Sequence, residues 1–209
     1  MDKIKLSEFT FEKIKNREFE KVIPELYELE NVIENNPWHN NDPVFHHIVS
    51  VTSELEDLLK DVNNKIKNFL NQKVTNHFRK ELLFLATVFH DIAKKETFTI
   101  DNNMTETVGH EEMGSEKLKN IVSRFDLSKD EIESISRIVK NHKFIHDISN
   151  LPIEEANERW ERFKKENSDI FLELILLGKA DMLGSQLKNN MPEEFEFRLG
   201  FIDKIIDSY

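Results

Sequence analysis

Apolar residues recur every three or four positions along nearly the whole chain, a pattern that predicts helices almost everywhere and no convincing strand. In EFEKVIPELYELENVI (18–33) they fall at Phe19, Val22, Ile23, Leu26, Leu29, Val32 and Ile33, and Pro24 suits the first turn of a new helix. The Asn- and Pro-rich NNPWHNNDP (35–43) reads as a loop. Helical spacing resumes over 44–62 through Ile48, Val51, Leu55, Leu58 and Leu59. FRKELLFLATVFHDIAK (78–94) is apolar nearly all round and reads as a central buried helix. After a Thr- and Asn-rich loop, a helix is expected from near Glu111, and Ser128 followed by Glu131 is a capping pattern that opens another over 128–148. Pro152 marks a break before the polar-faced PIEEANERWERFKKE. DIFLELILLGKADMLGS (169–185) is apolar and helical to near Gly184, and 192–209 forms a last amphipathic helix. No repeat, low-complexity tract or long linker divides the chain. The expected fold class is all-α: a single-domain helical bundle spanning 1–209, its core in 18–185 and the helix 192–209 packed on it.

Composition narrows the chemistry. A chain of 209 residues can bury a real core without staples, and 38% hydrophobic with 33% charged residues argues against disorder. With no cysteine, a metal here must sit on histidines and carboxylates. The net charge of −11 disfavours an extended nucleic-acid surface, yet a small phosphate-bearing substrate remains compatible with it, because a bound divalent ion reverses the local field. The amino terminus has no apolar signal region, and no charge-free run approaches ~18 apolar residues. The expectation is a cytoplasmic protein with no membrane partner.

Three helices carry ionisable residues where leucines would be expected: His46 and His47 in the second, His90 and Asp91 at the end of the third, and Asp181 inside LILLGKADML. An unpaired buried carboxylate costs several kcal/mol, on the order of the penalty for any uncompensated charge. A lone histidine on an apolar face is more often a hydrogen-bonded core residue than a ligand. Asp181 by itself could pair with Lys179. Together, however, the residues invite a common partner, and a divalent cation is the simplest.

Their order resembles the HD superfamily of metal-dependent phosphohydrolases, named for the His-Asp pair. HDIAKKET is similar to the family's HDIGKPxT form, with Lys94 and Thr97 kept, Ala93 in place of Gly and Lys95 in place of Pro. GHEEMGSE (109–116), IPELYELENV, DPVFHHIVSV and RIVKNHKF resemble elements of the branch that follows the catalytic head of bacterial tRNA nucleotidyltransferases and poly(A)-polymerase-like proteins. That alignment places His47, rather than His46, at the first position. The resemblance covers roughly Glu18 to Ser185 and lacks the nucleotidyltransferase head, so it implies a freestanding HD domain.

The resemblance implies a metal held by His47, His90, Asp91 and Asp181. Asp91 bridges to a second ion that His110 and His142 help to hold, so the cofactor is one or two divalent ions from among Mn, Fe, Co, Ni, Mg and Zn. Asp91 and Lys94 are the expected catalytic residues, Lys94 steadying Asp91 or the phosphate. Plainer readings stand beside these: His110 as a surface residue opening a helix, His142 paired with Glu or backbone, Lys94 as an exposed helix-end lysine. His146, four residues after His142, would share its helix face and offer a phosphate contact only. His39 and His46 are expected behind the site or on the surface. GHEEMG is no zinc-protease motif, because Gly114 stands where the second histidine would be. Trp38, Trp160, Phe144 and Phe163 read as core more readily than as stacking platforms. The implied activity is water attack on a phosphomonoester or cyclic phosphodiester of a nucleotide or RNA end. The alternative is a non-catalytic nucleotide- or RNA-binding module with a structural metal.

Overall fold

The computed structural model describes residues 3–148 and 153–209; Pro152, read above as a helix break, lies outside them. Helices dominate, as the periodicity predicts. They are α1 (Phe11–Lys15), α2 (Pro24–Tyr27), α3 (Val44–Asp61), α4 (Asn64–Leu70), α5 (Arg79–Phe89), α6 (Lys94–Thr97), α7 (His110–Val122), α8 (Lys129–Asn141), α9 (Phe144–Ile148), α10 (Ile153–Glu166), α11 (Phe171–Gly184), α12 (Leu187–Asn190) and α13 (Pro192–Asp207). One apolar core runs through them, from Leu6 and Phe9 at one end of the chain to Ile202 and Ile206 at the other.

Two segments expected to be loops form strands, against the expectation of none. Residues 35–43 are mostly strand: β1 (Ile33–Asn36) and β2 (His39–Pro43) form a hairpin, and Asn36 Oδ1 accepts the Trp38 N–H in its turn. The Thr- and Asn-rich stretch folds likewise into β3 (Thr99–Asp101) and β4 (Met104–Glu106), joined by Asn102 and Asn103 at φ 49° and 64°. Two positive φ values in a two-residue loop are what a twisted hairpin needs, and asparagine tolerates them. The hairpins are tied together where the Asn35 N–H donates to Thr105 Oγ1 at 2.8 Å.

Other boundaries shift. The stretch 18–33 is a turn, the short α2 and a 3-10 turn over Glu28–Asn31, not one helix. The helix expected over 78–94 ends at Phe89, and that over 128–148 breaks after Asn141. The Ser128–Glu131 capping box is present, Ser128 N–H donating to Glu131 Oε2 at 2.8 Å.

The bundle's centre is the crossing of α3 and α11, with α5 packed on α3 and α8 on both α5 and α7. Gly184 permits the closest approach: a Cβ there would lie 2.7 Å from the Val51 backbone nitrogen. This crossing brings His47 of α3 opposite Asp181 of α11, while the end of α5 delivers His90 and Asp91 between them. No helix among the described residues is long and apolar enough to cross a membrane.

Candidate metal centre

Asp91 is the hub. It is 2% exposed, just past the end of α5, and its two oxygens face different partners. Oδ2 lies 3.2 Å from His90 Nε2 and 3.6 Å from His47 Nε2. Oδ1 lies 3.2 Å from His110 Nε2 and 3.8 Å from His142 Nε2. Potential ligand atoms of His47, His90 and Asp91 fall within 4.8 Å of one another, as do those of Asp91, His110 and His142. Asp181 joins the first group through the histidines, its Oδ1 3.0 Å from His47 Nε2 and 3.7 Å from His90 Nε2.

The donor chemistry suits divalent cations. His90, His110 and His142 each donate Nδ1–H to a carbonyl three residues earlier, on Thr87, Thr107 and Val139, at 2.6–2.7 Å. A carbonyl only accepts, so Nδ1 carries a proton and Nε2 is the ring atom turned towards Asp91, free to offer its lone pair to a metal ion whenever the ring is neutral. His110 Nε2 and His142 Nε2 face each other at 3.4 Å, an arrangement of lone pairs that a shared cation relieves. His90 Nε2 and Asp91 Oδ2 are both buried without a hydrogen bond of proper geometry. Lys94 Nζ, 2.9 Å from that oxygen, supplies an ion-pair contact but not such a bond.

Electrostatics agree. Burial opposes charge on His90, but Asp91 and Asp181 outweigh it and raise its pKa to about 10, so this position favours a positive charge, proton or metal ion. Burial, reinforced by His90 and His110, pushes His142 down to about 3 and keeps its ring neutral. Burial also works against ionised Asp91 and Asp181. For Asp91 the His90 and Lys94 charges prevail, and for Asp181 the close contacts from the His146, His47 and His90 rings prevail, so both stay well below the ordinary carboxylate range.

Around this hub the remaining candidates separate. Lys94 is 6% exposed, not a surface helix-end lysine, and its Nζ bridges Asp91 and Glu34 Oε2, the latter at 2.7 Å. Burial disfavours its charge, but the two carboxylates raise its pKa above the usual lysine value. His39 is buried, with Nε2 3.2 Å from Glu34 Oε2, and burial together with His47 and Lys94 lowers it to about 2. His46 points outward to Glu30 at 3.0 Å. His146 corrects the helical reading: α8 stops before His142, so the two share no continuous helix face, and His146 Nε2 instead meets Asp181 Oδ2 at 3.2 Å. Sequence reasoning missed Glu34 altogether. Its only local signal is a carboxylate following Val32 and Ile33, and its partner lies 60 residues away.

A cavity of about 500 Å³ opens over the hub, its lining including Trp38, Val108, Lys143, His146 and Arg198. Trp38 meets the His146 ring edge-on at 4.8 Å, with the Arg198 guanidinium 5.5 Å from its own ring centre. Phe144 and Phe163 stack on each other with centroids 3.8 Å apart, and Phe163 is core.

Fold and centre together define an HD domain: the family model described as "HD domain" matches residues 44–184, and the chain belongs to that family. The family consists mostly of metal-dependent hydrolases. A search of curated proteins returns no match.

Proposed function

We propose that the protein is a metal-dependent phosphohydrolase acting on a phosphomonoester or cyclic phosphodiester of a nucleotide or RNA end. The observation that carries this reading is the pair of ligand groups sharing Asp91, one on each oxygen, beneath an open cavity. His47, His90, Asp91 and Asp181 would hold one divalent ion, and Asp91, His110 and His142 a second. Such ions, when bound, polarise a phosphoryl oxygen and acidify water. Lys94 holds Asp91 in its ionised form and fixes where its oxygens point. Glu34 holds Lys94 in turn. Lys143, 44% exposed and loosely paired at 3.4 Å with Glu111, stands at the mouth where phosphate oxygens would arrive. Trp38 and Val108 offer an apolar wall to the organic part of the substrate, and the cavity volume suits a nucleoside monophosphate. The tRNA-linked motifs GHEEMGSE and DPVFHHIVSV favour a nucleotide or RNA end over other phosphate esters.

The test is a screen of aryl phosphate, bis-aryl phosphate and nucleotides with Mn, Ni, Co or Mg. Turnover is expected with at least one metal and is expected to vanish in Asp91→Ala and His47→Ala. Unchanged turnover in both variants would overturn the proposal.

A further inference from the structure

A second cavity, of about 490 Å³, shares no lining residue with the first. Its walls are Trp160 of α10, Phe171 of α11, Phe201 of α13 and Tyr209 just beyond. Trp160 makes edge contacts with Phe171 and Phe201, each at 5.4 Å with the ring planes inclined by 67° and 62°, and stays half-buried. The rim carries Lys65, Lys164 and Lys204. Among the described residues no Asp or Glu side chain lines this cavity, in a chain with 40 Asp and Glu against 29 Lys and Arg.

Lysines on a surface are ordinary, and so is an aromatic cluster behind a helix. Their convergence is not. Lys164 pairs with Glu161 and lies 6.0 Å over the Trp160 ring. Lys65 and Lys204 form no ion pair among the described residues. A strongly acidic protein thus gathers three cations around a recess floored by aromatic rings. Rings recognise a planar, apolar body by stacking, and ammonium groups recognise an anion. The ligand with both features joined at this scale is a nucleoside phosphate.

We propose that this recess is a second nucleotide site, taking a base against Trp160 and Tyr209 and its phosphates on Lys65, Lys164 and Lys204. The same chemistry is presented by a free nucleotide and by the nucleotide at an RNA end. Fluorescence can read the site directly. The chain has only two tryptophans, so in a Trp38→Phe background emission reports Trp160. With EDTA present, ADP, adenosine, inorganic phosphate and a hexa-adenylate RNA are titrated separately.

ADP is expected to change the emission saturably, and adenosine or phosphate alone far less. Lys65→Glu with Lys204→Glu should weaken ADP binding by about tenfold or more, as loss and reversal of two charges implies. The same double variant should hydrolyse aryl phosphate like the parent when metal is added, showing that it is folded. Saturation by the RNA alone supports the site and identifies its source as an RNA end. Three results overturn the proposal: no saturable change with ADP or RNA, equal binding of adenosine and ADP, or undiminished binding in the double variant.

Discussion

Two of the carboxylates buried in this bundle, Glu131 and Asp91, have opposite surroundings. Glu131 of α8 spends its lone pairs on backbone: Oε1 accepts the N–H groups of Asn76 and His77, both at 2.7 Å, and Oε2 accepts that of Ser128. Burial opposes its charge, but those bonds, with one from the His77 ring, hold its pKa at about 2. Asp91 meets no backbone donor; it meets imidazole nitrogens and Lys94, with Oδ2 left short of a proper hydrogen bond. A carboxylate saturated by fixed amides can only brace the chain. One facing nitrogens whose own protons are engaged elsewhere is built to share a cation. Burial and a depressed pKa do not separate the two cases; the identity of the neighbours does.

The contrast can be broken experimentally, most severely at Asp91. Asp91→Asn should lower kcat/KM for aryl phosphate by about 10³-fold or more, since one side chain serves both ligand groups. It should also abolish the metal-dependent stabilisation expected of the parent, about 2.7 kcal/mol at a hundredfold excess of metal over Kd, visible as a shift in Tm. A variant that kept that shift would return Asp91 to the structural class.

His142→Ala should have a smaller effect. Elemental analysis is expected to fall from two ions per chain towards one, with activity reduced by about 10–100-fold. Retention of two ions would show that His142 is no ligand.

Glu131→Gln should leave kcat intact and cost about 1–3 kcal/mol of stability, measured by urea unfolding, because an amide cannot accept from all the same donors. The pH dependence has a definite sign. A carboxyl lowered from its ordinary 4.5 to about 2 contributes fully above pH 4.5, and that contribution is lost as pH falls towards 2. The variant's acid limb should therefore be shallower than the parent's over that interval.

The sequence made the helices and the hub legible for the same reason. A wide apolar stripe such as that of 44–62 declares its period, and a His-Asp pair closing LLFLATVF interrupts one visibly. The hairpins were opaque because β3 is exposed throughout and β4 buries only Thr105, which leaves no alternation to read. The Asn102–Asn103 pair was the available turn signal. The break after Asn141 carries neither glycine nor proline, so nothing local announces it, and the sequence alone gives His146 a helical neighbour in His142 that the fold does not. Glu34 and Lys94 meet across the fold, a pairing that no window of sequence contains.

The α3–α11 crossing sets the bite of the centre as a joint sets the span of calipers. At Gly184 the helices touch backbone to side-chain position, and at Gly178 of the same helix an added Cβ would run into Ile145 Cγ2 of α9, close beside His146. Asp181 is carried between these two hinge-like points. A methyl group at Gly184 would pry α3 from α11, and one at Gly178 would push α9 and His146 away from Asp181, so that chemistry could be silenced by a substitution that leaves every ligand in the chain.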